Sequence, residues 1–103
     1  MKTLAEADMM LHCMQKRQEK RRRELQQQAV LRVLPVSGSK GIDKHRIYHE
    51  VRHGHNRRPH LFARGLVDVE NTLRRLERRN LVFVGYVTKG WYRRKLYRAT
   101  LPF

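Results

Sequence analysis

The apolar and polar positions in the first third of the chain predict one long helix with a solvated middle. Residues 5–34 consist largely of good helix formers and contain neither glycine nor proline, so we expect the helix to end before Pro35. Residues 15–24 are a charge run without an apolar stripe, which must be solvated or contact a partner. The more apolar segment 26–34 is expected to pack on the core of a domain.

Two shorter helices, each with one apolar face, follow in the pattern. The first covers residues 43–53, with Asp43 as its expected N-cap, and turns three side chains inward: Ile47, Tyr48 and Val51. The second extends from Asp68, its expected cap, to about Arg79. Its apolar residues lie at i, i+4 and i+7: Val69, Leu73 and Leu76.

The remaining pattern predicts a two-stranded ribbon. Residues 81–88 are rich in β-formers, Lys89-Gly90 is a turn signal, and residues 91–100 are typical of a returning strand. The element order is therefore helix, helix, helix, ribbon, and the third helix runs directly into the ribbon.

This order and the third helix resemble the winged helix-turn-helix superfamily. Its members usually show Leu-x-x-Leu-Glu, a Gly or Asn, and then Leu-Val, and this chain has those residue types at six positions: Leu73, Leu76, Glu77, Asn80, Leu81 and Val82. The resemblance implies a mainly α fold with a β-hairpin, whose third helix enters the DNA major groove. One departure is the long basic connection between the second and third helices, which is often short in the family. We predict a winged helix-turn-helix domain over residues 26–103 and a basic helical extension over residues 1–25.

The composition indicates a polyanionic partner. The 103 residues include 24 Lys and Arg against 9 Asp and Glu, which gives a formal net charge of +15 with His neutral. Such a charge repels itself unless it meets a polyanion, and nucleic acid is the expected one, with an anionic membrane surface as the rival. The single cysteine, Cys13, suits a reducing compartment. With neither a secretory signal nor a long apolar run, we expect a cytoplasmic protein, nucleoid-associated if bacterial.

The exposed face of the third helix is the first candidate surface. Four polar side chains are expected to project away from the core: Asn71, Arg74, Arg75 and Arg78. Arginine binds guanine bidentately in the major groove, and asparagine binds adenine in the same way. The alternative is a solvated face with ion pairs, which the i, i+4 spacing of Glu70 and Arg74 supports.

The ribbon is the second candidate surface. Ten of its residues include five cations and no acid: Lys89, Arg93, Arg94, Lys95 and Arg98. Such clustered cations suit contacts to phosphates or the minor groove. The interleaved aromatic residues can stack on bases or pack the ribbon onto the helices. We expect Tyr97 to lie in the core, whereas for Trp91 both base stacking and packing onto the helices remain open.

The connection between the second and third helices is a third basic patch. Two of its cations are expected to anchor the approach to nucleic acid: Arg57 and Arg58. Two of its apolar residues are expected in the core: Leu61 and Phe62. With its run into Leu73-x-x-Leu76-Glu77, the connection faintly resembles a winged-helix ribosomal protein of archaeal and eukaryotic small subunits, which implies RNA as an alternative partner.

Metal binding and catalysis find little support in the sequence. Three histidines at i, i+4 and i+8 share one face of the second helix: His45, His49 and His53. A histidine pair at such spacing can bind zinc, but no cysteine or carboxylate cluster completes a site, so we expect no metal and no cofactor. A Gly-rich phosphate loop, a G-x-S-x-G elbow and a plausible pair of carboxylates are all missing, and we expect no enzymatic activity.

The predicted extension carries a weak heptad pattern. The two repeating heptad positions are occupied by Leu4, Ala7, Leu11, Met14, Gln18, Arg21, Leu25 and Gln28. These positions are apolar in the first two heptads and mostly polar after them. This pattern favours a homodimer through the helix, and the alternative is a basic arm that orders on nucleic acid. The charge run 15–24 is not strongly amphipathic, which argues against a membrane helix.

Together these features predict a transcriptional regulator that binds duplex DNA. The third helix is expected to contact bases, and four cations of the ribbon are expected to contact phosphates: Lys89, Arg93, Arg94 and Lys95. Two alternatives remain, because the fold alone does not decide function: an RNA-binding or ribosome-associated protein, and a module that docks on an acidic protein.

Overall fold

The computed structural model describes residues 4–35 and 40–100, the first five of them by their backbone alone. The elements in chain order are α1 (Leu4–Val33), α2 (Lys44–His53), a short 3-10 helix (Pro59–Phe62), α3 (Leu66–Arg78), β1 (Val82–Lys89) and β2 (Tyr92–Ala99). Three helices followed by an antiparallel hairpin are what the sequence pattern predicted, and the arrangement is compatible with a winged-helix-like fold. Of the predicted extension and domain, residues 1–3, 36–39 and 101–103 lie outside the described part.

The core lies where the second half of α1, α2, α3 and the base of the hairpin meet. The largest side chains that are fully buried there come from all three helices and the 3-10 turn: Val30, Ile47, Val51, Phe62, Val69, Thr72, Leu73 and Leu76. Leu61 and Tyr97 are also buried, so the predictions for the connection and for Tyr97 are confirmed. Tyr48 is half-buried against this core.

α2 begins and ends as its sequence predicted. The Asp43 side chain accepts a hydrogen bond from the Arg46 N–H at 2.8 Å and so caps the first turn. The helix ends at His53, and the N–H of Gly54 donates to the Glu50 carbonyl at 2.9 Å.

The start of α3 differs from the prediction that Asp68 caps it. The helix begins two residues earlier, at Leu66, after Gly65, which has a φ of +71° that favours glycine. Asp68 lies in the first turn, where a negative charge is stabilised by the helix dipole. Its carboxylate reaches back and accepts a hydrogen bond from the Arg64 N–H at 2.9 Å. The prediction of Asp68 as the cap followed from its side-chain acceptor, which is typical of N-cap residues.

Asn80 turns the chain from α3 into the hairpin. It adopts a left-handed φ of +58°, which asparagine tolerates better than most residues. Its N–H donates to the Glu77 carbonyl at 3.0 Å, and the N–H of Leu81 donates to the Leu76 carbonyl at 3.1 Å. This pair of bonds is a Schellman motif, and it directs the chain straight into β1.

The hairpin turn lies one residue further along the chain than the sequence predicted. Lys89 pairs with Tyr92, so the two turn residues are Gly90 and Trp91, and β2 begins one residue later than expected. Gly90 has a φ of +61°, and glycine first in a two-residue turn is the pattern of a type II′ hairpin.

The segment before α2 forms an isolated β-bridge with the hairpin. Ile42 and Tyr97 exchange two backbone hydrogen bonds, at 3.0 and 2.8 Å, on the edge of β2 that faces away from β1. Gly41 is needed here because it has a φ of +81° and an added Cβ would lie 2.9 Å from the Tyr97 carbonyl oxygen. This contact fixes the hairpin against the start of α2.

The N-terminal half of α1 extends beyond the core. Every described side chain from residue 9 to residue 21 is exposed. Gln26 is the first buried side chain in the described part of α1, and its amide donates to the Leu61 carbonyl. The helix is continuous through this change, and the described structure measures 66 × 30 × 26 Å. Among the described residues, no helix is both long enough and apolar enough to cross a membrane.

Candidate nucleic-acid interface

α3 presents a polar face on the side opposite its buried residues. Arg74 and Arg78 are exposed there, and Asn71 beside them is half-buried. Glu70, which the i, i+4 spacing allowed to pair with Arg74, is held instead by α2, because the Lys44 Nζ lies 2.9 Å from its Oε1. The ion-paired alternative is therefore not the arrangement seen for Arg74.

Lys44 also sets the protonation of its partner. Its hydrogen bond is the main cause that lowers the pKa of Glu70 below the ordinary 4.5, against a partial burial that acts in the opposite direction. The charges of Lys44, Arg74 and His45 lower this pKa further. Glu70 therefore stays ionised and holds Lys44 near α3.

A buried carboxylate organises the start of α3 and ties it to α1. Asp68 is only 2% exposed, and it accepts from both the backbone N–H and the side chain of Arg64. Arg22 of α1 lies 3.5 Å from the same carboxylate. One acid thus holds two arginines, whose guanidinium groups remain partly exposed.

Arg75 lies between α1 and α3 in a crowd of positive charges. Partial burial is the largest cause that lowers its pKa, the charge of Arg23 lowers it further, and Glu19 acts in the opposite direction. Arg64 and Arg78 add to the lowering. Arginine stays protonated in proteins, so this crowding is unfavourable in the free protein and would be relieved by a bound anion. The position of Arg75 beside α1 differs from the fully outward position that the sequence predicted.

A groove of about 570 Å³ separates the start of α2 from the hairpin. Basic side chains line it from three elements: Lys44 and His45 of α2, Arg74 of α3, and Arg93, Arg94 and Lys95 of β2. Its acids are Asp43, Glu70 and Glu77, and Asp43 holds Arg94 at 3.5 Å. Within residues 4–35 and 40–100, Arg94 is the one predicted site cation that forms a salt bridge.

The structure brings some of the predicted site residues together and leaves others apart. Four of them surround the groove: Arg74, Arg93, Arg94 and Lys95. Arg75 lies near Arg23, Arg64 and Arg78, and Lys89 closes the hairpin opposite Tyr92. Arg57 and Arg58 follow the end of α2 and do not line the groove. The N–H of Arg58 donates to the Val51 carbonyl.

Sequence reasoning missed several basic residues that join these surfaces. They come from α1, the connection and the start of α2: Arg22, Arg23, Arg64, Lys44 and His45. Their roles depend on contacts between residues that are far apart in the chain, which a pattern along one helix does not reveal. The available signal was the i, i+4 spacing of Arg64 and Asp68, which suits an ion pair.

Aromatic rings alternate with cations along the exposed part of the hairpin. The Arg93 guanidinium lies 5.9 Å from the centre of the Tyr86 ring, and that of Arg98 lies 5.2 Å from the centre of the Phe83 ring. Tyr97 is instead in the core, and burial raises the pKa of its hydroxyl. The hairpin therefore has a packed base and an exposed aromatic and basic outer half.

The three histidines of α2 are not part of a metal-binding group in the described part of the chain. The rings of His49 and His53 lie 5.4 Å apart on the exposed side of the helix. In the described part of the chain, no three His, Cys, Asp or Glu side chains form a group that could hold a metal ion.

A scan against protein-family models and searches of the curated proteins and of the solved structures found no match to this chain.

Proposed function

We propose that this protein binds duplex DNA as a winged helix-turn-helix transcriptional regulator, with α3 in the major groove and the hairpin as its wing. The observation that carries the proposal is the exposed polar face of α3 beside the basic groove. Arg74 belongs to both, and Arg93 and Lys95 project from the hairpin into the same groove. A helix in the major groove flanked by a basic wing needs cations in these two places.

The connections between elements support the winged-helix part of the proposal. The β-bridge between Ile42 and Tyr97 attaches the segment between α1 and α2 to the edge of β2. The Schellman turn at Asn80 leads α3 directly into the wing. Both features fix the hairpin relative to α3, so helix and wing can contact one duplex together.

The distribution of acids supports a polyanionic partner. Three acids beside the proposed surface form ion pairs within the protein: Asp68 with Arg64 and Arg22, Glu70 with Lys44, and Asp43 with Arg94. Most cations of the surface are thus left without an internal counter-charge, and the chain as a whole carries +15. Each phosphate that such a cation neutralises releases counterions, which favours binding at low salt.

Arg94→Ala is expected to weaken binding to all DNA sequences alike. Arg94 lies on the wing at the groove, where its contact with Asp43 at 3.5 Å leaves about half of its side chain exposed, and a phosphate contact carries no sequence information. Losing one such contact should make the slope of log K against log salt shallower by about one unit. Fluorescence anisotropy over a salt series measures this slope. Arg32→Ala is the matched control, because Arg32 is exposed in the last turn of α1, away from the core. Equal slopes for Arg94→Ala and Arg32→Ala would remove the wing from the interface.

The protein is further proposed to act as a homodimer through the N-terminal half of α1. Met9, Leu11 and Met14 are more than half exposed there, and Leu11 and Met14 lie on the heptad positions. Light scattering should give twice the 12.4 kDa chain mass, and Leu11→Lys should return the chain to a monomer because it places a charge in the seam. A monomeric mass for the parent chain at micromolar concentration would overturn the dimer.

A further inference from the structure

Trp91 is the outermost side chain of the hairpin. It is 96% exposed, although tryptophan is on average among the more buried residues. It is the second residue of the tight turn, and its ring meets that of Tyr92 edge-on, with the ring centres 5.9 Å apart. An added Cβ on Gly90 would meet no atom within 4 Å, so the tip of the turn stands in open space.

The surroundings of the ring are suited to nucleic acid. Lys89 and Arg93 flank the turn on the two strands and pair with Tyr92 and Thr88 in the hairpin register. No acid occurs in the sequence after Glu77. A flat ring at the end of a rigid hairpin, with cations on both sides, can enter a base stack while the cations hold the flanking phosphates.

We propose that Trp91 stacks on an unstacked base, and that the protein therefore prefers duplex DNA containing an unpaired nucleotide to fully paired DNA. This inference rests on the proposed DNA-binding function and names the DNA structure that the wing recognises. An unpaired base offers an open stacking face without the cost of opening an intact step, so the gain from stacking is larger there.

An anionic membrane surface fits the tip less well. Insertion into lipid needs a broad apolar face, whereas the residues next to the ring are Lys89, Gly90, Tyr92 and Arg93. Arg93 also lies over the Tyr86 ring, which keeps a cation on the apolar surface beneath the tip.

The experiment compares two labelled DNA duplexes that are identical except for one unpaired adenine, using the full chain. Trp91 is the only tryptophan, so its intrinsic fluorescence reports directly on the tip. We expect tighter binding to the duplex with the unpaired adenine by about 5- to 150-fold, and stronger quenching of Trp91 on that duplex. Trp91→Ala should abolish the preference and leave binding to the paired duplex unchanged, and Trp91→Tyr should retain most of the preference.

The outcomes separate this inference from the proposed function. Equal binding of the parent chain to both duplexes, or a preference that survives in Trp91→Ala, would overturn the role of Trp91 and leave the DNA-binding proposal standing. Binding to neither duplex would overturn both. A blue shift of Trp91 on vesicles of phosphatidylserine and phosphatidylcholine, without quenching on DNA, would assign the tip to a membrane and overturn the inference.

Discussion

Arg74→Ala is expected to lower the preference of the protein for its selected DNA site over a scrambled duplex by about 5- to 150-fold, the effect of losing one bidentate base contact. Arg74 is exposed on α3, and its neighbour Glu70 is bonded to Lys44 rather than to Arg74. The guanidinium therefore does not have to leave an internal salt bridge before it binds a base.

The measurement begins with selection of a binding site from a pool of random duplexes by the parent chain. Anisotropy titrations then give the affinities of the parent, Arg74→Ala and Arg32→Ala for the selected and scrambled duplexes. Arg32→Ala removes the same charge outside the proposed surface and should keep the full preference. If Arg74→Ala discriminates between the duplexes as well as Arg32→Ala does, α3 is not the element that reads bases.

Asp68→Ala is expected to lower the free energy of unfolding by about 2–3 kcal/mol, because it removes several charge-assisted hydrogen bonds from a buried acceptor. The lost bonds are those from the backbone and side chain of Arg64, together with the contact of Arg22. The two arginines lose their shared anchor, so the start of α3 and its contact with α1 should loosen together.

Urea denaturation followed by circular dichroism measures this change. Glu19→Ala is the matched control, because it removes an exposed carboxylate that pairs with Arg23 at 3.0 Å and should change stability by less than about 1 kcal/mol. Asp68→Asn should fall between the two, since an amide oxygen can still accept from the Arg64 N–H. Equal stabilities for Asp68→Ala and Glu19→Ala would show that the buried carboxylate is not an anchor.

Local sequence patterns predicted most of the helices and strands, because each of these elements depends on residues that are close together in the sequence. The apolar spacing of Val69, Leu73 and Leu76 placed α3 on the core, and Asp43 marked the start of α2. The one-residue shift of the hairpin turn and the early start of α3 were missed, since both depend on glycines with positive φ in the folded chain. Propensity along the chain does not specify where such a conformation is used.

The candidate site was predictable in composition but not in arrangement. The sequence showed that Arg74 and Arg75 belong to α3, yet not that one would line the groove and the other would lie beside α1. It allowed a pair of Glu70 with Arg74, whereas packing of α2 against α3 brings Lys44 closer. These choices follow from contacts across the core, which only the folded arrangement determines.

The most direct test of DNA binding compares the affinities of the full chain for DNA and RNA duplexes of matched sequence, measured by fluorescence anisotropy over a range of salt. We predict tighter binding to DNA that persists near physiological salt, because α3 fits the major groove of B-form DNA and not the deep, narrow one of A-form RNA. Tighter binding to RNA would contradict it in favour of an RNA partner. Loss of both complexes at moderate salt would contradict it in favour of an acidic protein partner.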